Sequence, residues 1–270
     1  MDKNLYKILF FKMPKVASDT IWGAINNSFH KGDHIKKIEW DSESNEPKYE
    51  GVKLDMLRHG EFSDNVFKTI KDSDFSFCFV RNPYLRFVSN WHWCAKKSPH
   101  RDERNFRKIL YNKGIFPNPG VSFVDWSQYI PDTDLPESNF EYEKDTFLNF
   151  CRNLDKVIEW GPGEFTLWLP QYDWIYENKK CLVDFVGRYE NLQEDFNWVC
   201  KKLKIDSNVK FGDNGKNRSI ESQLKYKDFY FSGEIVDLVY KFYKNDFEEF
   251  GYEKDVDKAF TQLENVLNNR

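Results

Sequence analysis

The sequence predicts an α/β fold in which a central parallel sheet is flanked by helices and interrupted by a helical or loop insertion. Two observations carry this expectation. Three times along the chain a short apolar run ends in a polar turn and passes into a segment of helical periodicity, the succession from which parallel sheets are built. Residues 96 to 176, by contrast, show no clean strand pattern and read as the insertion. The 270 residues suffice for one large domain with a sizeable core, and positions 1 to 270 are read as a single domain.

The first strand is Lys7-Ile8-Leu9-Phe10-Phe11-Lys12-Met13, an apolar run ended by Pro14. Pro14 to Asp19 forms a tight loop, and Ile21, Trp22, Ile25 and Phe29 recur at helical spacing from Thr20 onward. Residues 41 to 50 are polar and turn-rich, an exposed loop. The second strand, Phe75 to Val80, ends at Arg81-Asn82-Pro83 and feeds a helix marked by Tyr84, Phe87, Val88 and Trp91. The third, Leu182 to Gly187, runs into Arg188-Tyr189-Glu190 and a helix from Asn191 to Leu203. A C-terminal helix from about Ser232 to Phe250 carries Ile235, Leu238, Val239, Phe242, Tyr243 and Phe247. Ligands of open parallel sheets bind where strands end, so these polar turns are the places to seek chemistry.

Composition narrows the function. With 40 Lys+Arg against 44 Asp+Glu the formal charge is −4, which argues against a generic nucleic-acid binder while leaving room for a local cationic pocket. Phe, Tyr and Trp number 25, 14 and 9, a high aromatic content. Cys78, Cys94, Cys151, Cys181 and Cys200 are odd in number and widely spaced, which disfavours a zinc site or disulfide framework and suits free thiols in a reducing compartment. The start of the sequence has no charged-then-apolar signal pattern, and no apolar run approaches the roughly 20 residues of a membrane span. A cytoplasmic location is expected.

In the first turn Lys15 lies in a loop whose backbone N–H groups, with the following helix start, form a potential anion cradle, and Ser18 and Thr20 add hydroxyls. The loop is not GxxxxGK[ST], which disfavours an ordinary ATP or GTP loop, and by itself it reads first as a plain strand–helix connection with a surface Lys and a Ser cap. In the second turn Arg81 follows the strand and Ser89 stands about two helical turns later, so the two could grip one phosphate. The competing reading has Arg81 capping strand carbonyls and Arg86 in a surface pair.

Phe10-Phe11-Lys12-Met13-Pro14-Lys15-Val16-Ala17-Ser18-Asp19-Thr20 resembles the 5′-phosphosulfate loop of sulfotransferases that use 3′-phosphoadenosine 5′-phosphosulfate (PAPS), most of all the Golgi-type carbohydrate branch with the heparan and uronyl 2-O-sulfotransferases. Phe79-Val80-Arg81-Asn82-Pro83-Tyr84-Leu85-Arg86-Phe87-Val88-Ser89 resembles the 3′-phosphate motif of that family. Phe185 to Leu192, and Val239 to Tyr243 with Asp246 to Tyr252, are similar to its later segments. The resemblance implies a P-loop-like three-layer fold and PAPS as co-substrate, with no metal. It also implies roles. Lys15 would stabilise charge on the bridging oxygen, and the loop amides around Ala17 and Ser18, with Thr20, would hold the 5′-phosphate. Arg81 and Ser89 would hold the 3′-phosphate. Arg188 lies in the third matching segment and is a further candidate contact. Arg218 and Ser219, in Lys216-Asn217-Arg218-Ser219, would belong to the loop that closes over the nucleotide.

Leu57-Arg58-His59-Gly60-Glu61-Phe62 resembles the segment in which a His after Gly is the expected base. Here Glu61 takes that place and His59 stands two residues earlier; in an extended stretch both face one side, and either can accept the proton. Val16 and Asp19 replace the usual hydroxyl residues of the first loop. That departure motivates an alternative, a catalytically inactive relative that binds nucleotide or glycan; a nucleotide kinase is a third reading. The acceptor is expected to be a hydroxyl of a carbohydrate or small metabolite, with residues 96 to 176 on its side. Residues 91 to 176 hold Trp91, Trp93, Trp126, Trp160, Trp168 and Trp174, as an aromatic-lined cleft or, for most of them, as core. Seven cations in residues 96 to 113 and six acids in 132 to 145 make a mosaic rather than a continuous polyanion groove.

Overall fold

In a computed structural model of the chain the described residues are 5–30, 51–58, 70–92, 113–114, 140–157, 167–203, 211 and 224–268. Their elements, in chain order, are β1 (Leu5–Lys12), α1 (Ser18–His30), β2 (Gly51–Arg58), β3 (Phe75–Val80), α2 (Pro83–His92), α3 (Phe140–Cys151), α4 (Leu154–Val157), α5 (Gln171–Ile175), β4 (Tyr176–Glu177), β5 (Lys180–Cys181), β6 (Phe185–Arg188), α6 (Leu192–Lys202), α7 (Gly233–Phe242), α8 (Lys244–Glu249) and α9 (Val256–Asn268). They group into two compact units, Met1–Asn82 with Gln171–Ser219, and Pro83–Pro170 with Ile220–Asn269.

The first unit contains the expected parallel sheet, four strands in the order β2-β1-β3-β6. Neighbouring residues of a strand point to opposite faces, and β1 shows what covers each. Phe10 stacks on Phe77 and on Trp22 of α1, with ring centroids 5.2 and 6.4 Å apart. Phe11 packs instead against Trp174 of α5, at 5.9 Å. Helices therefore flank both faces, which is why β1 and β3 read as continuous apolar runs rather than alternating ones.

β2 is an addition to the sequence reading. It pairs with β1 along eight residues, from Leu5↔Gly51 to Lys12↔Arg58. Its alternation of Val52, Leu54 and Met56 with Lys53 and Asp55 was the available signal. The strand expected over Leu182 to Gly187 is shorter and shifted, Phe185–Arg188. Its start is tied elsewhere: Leu182 N–H donates to Ile175 O at 2.8 Å, and the Asp184 carboxylate accepts from Ser76 N–H and Oγ–H at 2.7 and 2.9 Å.

The second unit is helical and aromatic. Phe87 of α2 meets Phe147, Phe150, Trp168 and Tyr243 with centroids 5.4 to 6.0 Å apart. Trp91, Trp168 and, in the first unit, Trp174 are fully buried, so these three are core and not cleft lining. Trp93, Trp126 and Trp160 lie outside the described residues. The helix expected over Ser232 to Phe250 is two helices, α7 and α8, divided at Tyr243 (φ −100°, ψ 23°), whose hydroxyl donates to Trp168 O at 2.8 Å. Ser232 caps α7 by accepting from Ile235 N–H, as its place at the helix start requires. α9 is a further addition, capped by Asp255, which accepts from the N–H groups of Asp257 and Lys258. Among the described residues no helix is long and apolar enough to cross a membrane.

Candidate functional site

The strand order marks where a candidate site is to be sought. From β1 the chain pairs β2 on one side and then β3 on the other, so the direction of winding reverses between β1 and β3. A crevice opens outside the carboxyl ends of strands at such a switch point. The residues immediately beyond those two ends are the Met13–Ala17 loop and Arg81.

The loop is built to turn its amides one way. Lys15 and Ala17 have φ of 62° and 61°, left-handed values that cost a non-glycine residue about 1–3 kcal/mol each. Val16 between them is not left-handed, and such alternation curls successive N–H groups around a concavity suited to an anion. Val16 holds the loop down, its side chain fully buried. Ser18 Oγ–H donates back to Met13 O at 2.7 Å and closes the loop, committing its single proton there. Thr20 N–H and Ile21 N–H both donate to Ala17 O at 3.0 Å as α1 begins. Thr20 and Lys15 are half-exposed.

Arg81 is buried at 5% exposure, its Nη1 donating to Lys15 O at 3.1 Å and its guanidinium lying over the Tyr189 ring at 4.5 Å from the centroid. The first and second turns thus meet through one residue of each. The Arg81 backbone is held as firmly: its N–H donates to Gln171 Oε1 at 2.8 Å, and Gln171 Nε2 donates to Arg81 O at 2.9 Å. Gln171 thereby does what a neighbouring strand would do. Asn82 N–H donates to Glu190 Oε1 at 2.8 Å. Tyr189, Glu190 and Gln171 escaped the sequence reading as site residues. Tyr189 and Glu190 lay in a recognised segment, whereas Gln171 is 90 positions from its partner and carried no local signal.

The Arg188 backbone N–H donates to Asp195 Oδ2 at 2.6 Å, and its side chain stands half-exposed at the end of β6. Burial pushes the Asp195 carboxyl above its usual range, and the Arg188 N–H works against that rise. Lys12, the last residue of β1, forms an ion pair with Asp19 of α1, a pairing the sequence reading did not identify. The surface pair considered for Arg86 is overturned: Arg86 is fully buried in the second unit, where Nη2 donates to Leu167 O and Leu169 O at 2.9 Å. Ser89 is half-exposed on α2 of that unit. His59, Glu61, Arg218 and Ser219 lie outside the described residues, although β2 delivers Arg58, which precedes His59, to a position paired with Lys12. Burial raises the Cys78 and Cys151 thiols well above their ordinary range, so both stay protonated and inert at neutral pH. Among the described residues no group of His, Cys, Asp and Glu could hold a metal ion.

A family described as "Sulfotransferase family" matches residues 1–253. Carbohydrate sulfotransferase 12 of Mus musculus is 26% identical over 204 residues, 73% of this chain and 44% of that protein. Carbohydrate sulfotransferase 10 of Gallus gallus is 22% identical over 263 residues, 92% of this chain and 64% of that protein. An uncharacterized protein of Archaeoglobus fulgidus is 29% identical over 142 residues, covering 53% of this chain and 78% of that one. The chain therefore matches about half to two thirds of the length of these carbohydrate sulfotransferases. No solved structure matches.

Proposed function

The chain belongs to the sulfotransferase family, and on that premise we propose that it transfers the sulfuryl group of PAPS to a hydroxyl of a carbohydrate or small metabolite. The single observation that carries the reading is the left-handed pair Lys15 and Ala17 at the β1–α1 turn, joined to Arg81 by its bond to Lys15 O. Strain at two non-glycine positions persists where the surroundings over-determine it, and we read it here as an anion cradle of P-loop-like form at the switch point of the sheet. The two carbohydrate sulfotransferases among the relatives support a sugar hydroxyl as acceptor.

In this reaction the acceptor oxygen forms a bond to sulfur while the bond from sulfur to the bridging phosphate oxygen breaks. The acceptor proton passes to Glu61 or His59, and 3′-phosphoadenosine 5′-phosphate leaves. Lys15 neutralises charge growing on the leaving oxygen, and the amides of Ala17 and Ser18, with Thr20, hold the 5′-phosphate. Arg81 holds the 3′-phosphate, with Ser89 in the same role by resemblance. Arg188, Arg218 and Ser219 are further nucleotide contacts on the same ground. Catalysis of this kind rests on positioning and electrostatics, by analogy with phosphoryl transfer. Buried, unbridged thiols at Cys78, Cys151 and Cys200 suit a reducing, cytoplasmic setting.

Of the residues that motivated a non-catalytic reading, Val16 turns its side chain into the core, and the Asp19 side chain is 88% exposed and paired with Lys12. Calorimetry with 3′-phosphoadenosine 5′-phosphate, followed by ³⁵S transfer from labelled PAPS to a panel of saccharides and small alcohols, tests the proposal. Nucleotide binding without transfer to any acceptor supports the inactive relative; no binding at all removes both. A preference for ATP with Mg²⁺ supports the kinase. Glu61→Gln should lower kcat about 10²-fold or more with nucleotide affinity unchanged. If His59→Ala alone does so, His59 is the base.

A further inference from the structure

At the mouth of the Met13–Ala17 loop the protein already holds an ion pair of its own. Lys12 ends β1 and Asp19 lies in the first turn of α1, so their contact spans the loop from its entry to its exit. The two partners are unequally fixed. The Lys12 side chain is 15% exposed, whereas that of Asp19 is 88% exposed. A short side chain in water changes rotamer at little cost, while a covered lysine stem is held by its packing. If a second anion arrives, Asp19 is the partner that leaves.

The same cation and the same helix start that favour the Asp19 carboxylate also favour a phosphate or phosphosulfate at the cradle. Two anions cannot share them without repulsion. We propose that Lys12 is an additional donor-binding residue and that Asp19 is its resident counter-ion, displaced when the nucleotide enters. The inference rests on the PAPS reading above and extends it. Neither residue is needed to build the loop, which Ser18, Val16 and the left-handed backbone shape. The pair instead sets affinity: Asp19 keeps the vacant cradle from presenting an uncompensated lysine and makes nucleotide binding an exchange of one anion for another.

The two residues must then act through each other, which a double-mutant cycle reads directly. By calorimetry with 3′-phosphoadenosine 5′-phosphate, Lys12→Met, which keeps the stem and removes the charge, should weaken binding about tenfold. Asp19→Asn should tighten it about fivefold by releasing Lys12. In the Lys12→Met background Asp19→Asn should give less than half that gain. Thermal unfolding of each variant shows that it is folded, and Lys12→Arg, which preserves the charge, should keep most of the affinity. Binding unchanged in Lys12→Met, or an Asp19→Asn gain of equal size with and without Lys12, overturns the inference and leaves the donor reading standing. Wild-type protein that binds no nucleotide removes the donor reading and this inference with it.

Discussion

Arg81 and Arg86 stand five residues apart in one sequence motif, both carry a buried guanidinium, and the two regions they belong to hold that group in different settings. Arg86 sits in the helical unit, fully buried over the Tyr243 ring, with two bonds to the carbonyls of Leu167 and Leu169. Asn90 Nδ2, one turn further along α2, donates to Leu167 O as well. Polar groups buried among aromatic rings are there fastened to backbone, and they fix how one segment packs on another. Arg81 ends a strand of the sheet unit, and its surroundings secure its backbone from two sides. The lesson is that burial and charge alone do not separate a structural arginine from a binding one. Both guanidinium groups are fastened, Arg81 to Lys15 O over the Tyr189 ring and Arg86 to two carbonyls over the Tyr243 ring. What marks Arg81 is that its backbone is held by Gln171 as well, at the end of a strand beside the switch point.

The largest expected effect breaks the comparison on the structural side. Arg86→Ala removes a large buried side chain and its bonds to two carbonyls, of which Leu167 O keeps Asn90 as donor, so the free energy of unfolding in a denaturant titration should fall by about 3–5 kcal/mol. Nucleotide affinity of the folded fraction should hold. If instead affinity collapses with stability intact, the division between the arginines is wrong. Next in size, Arg81→Ala should weaken 3′-phosphoadenosine 5′-phosphate binding about a hundredfold, about 3 kcal/mol, with a smaller loss of stability than Arg86→Ala. Unchanged affinity would remove Arg81 from the site.

The same contrast explains what could be read from the sequence. Phe75–Val80 is a strand to the residue, because a strand buried on both faces is an uninterrupted apolar run and the polar Arg81-Asn82-Pro83 marks its end. The tight turn from Pro14 to Asp19 was legible in the sequence, but its left-handed backbone at Lys15 and Ala17 was not, since no glycine announces it. β2 was missed although its alternation was present, because the segment lies beside a polar stretch and a motif that drew the reading toward chemistry. Arg86 was misplaced because a charged side chain within a helix is usually at the surface; the carbonyls of Leu167 and Leu169, some 80 residues on, satisfy it in the core. Long-range partners of this kind have no local signature.

A third experiment tests the sheet unit as scaffold. Gly187 of β6 pairs with Phe79 of β3, and a Cβ at Gly187 would come within 2.5 Å of the Phe79 ring. That ring is fully buried, so it cannot swing aside freely. Gly187→Ala should cost about 2 kcal/mol of stability in a denaturant titration. Because Tyr189 and Glu190 follow this strand and meet Arg81 and Asn82, some loss of nucleotide affinity should accompany it, smaller than in Arg81→Ala. Full stability in Gly187→Ala would mean that the β3–β6 contact is looser than its pairing implies.

The smallest effect is the sharpest. Gln171 holds the backbone of Arg81 from both sides, accepting from its N–H and donating to its carbonyl. It is a positioning residue, so its removal should be felt through what the guanidinium holds. Gln171→Ala should weaken 3′-phosphoadenosine 5′-phosphate binding about tenfold, about 1.4 kcal/mol. Adenosine 5′-phosphosulfate, which lacks the 3′-phosphate, should bind wild type and Gln171→Ala alike, because Arg81 has no phosphate to lose. A general loosening of the fold would weaken both nucleotides together. Equal losses would therefore assign Gln171 to stability alone and take away its part in aiming Arg81.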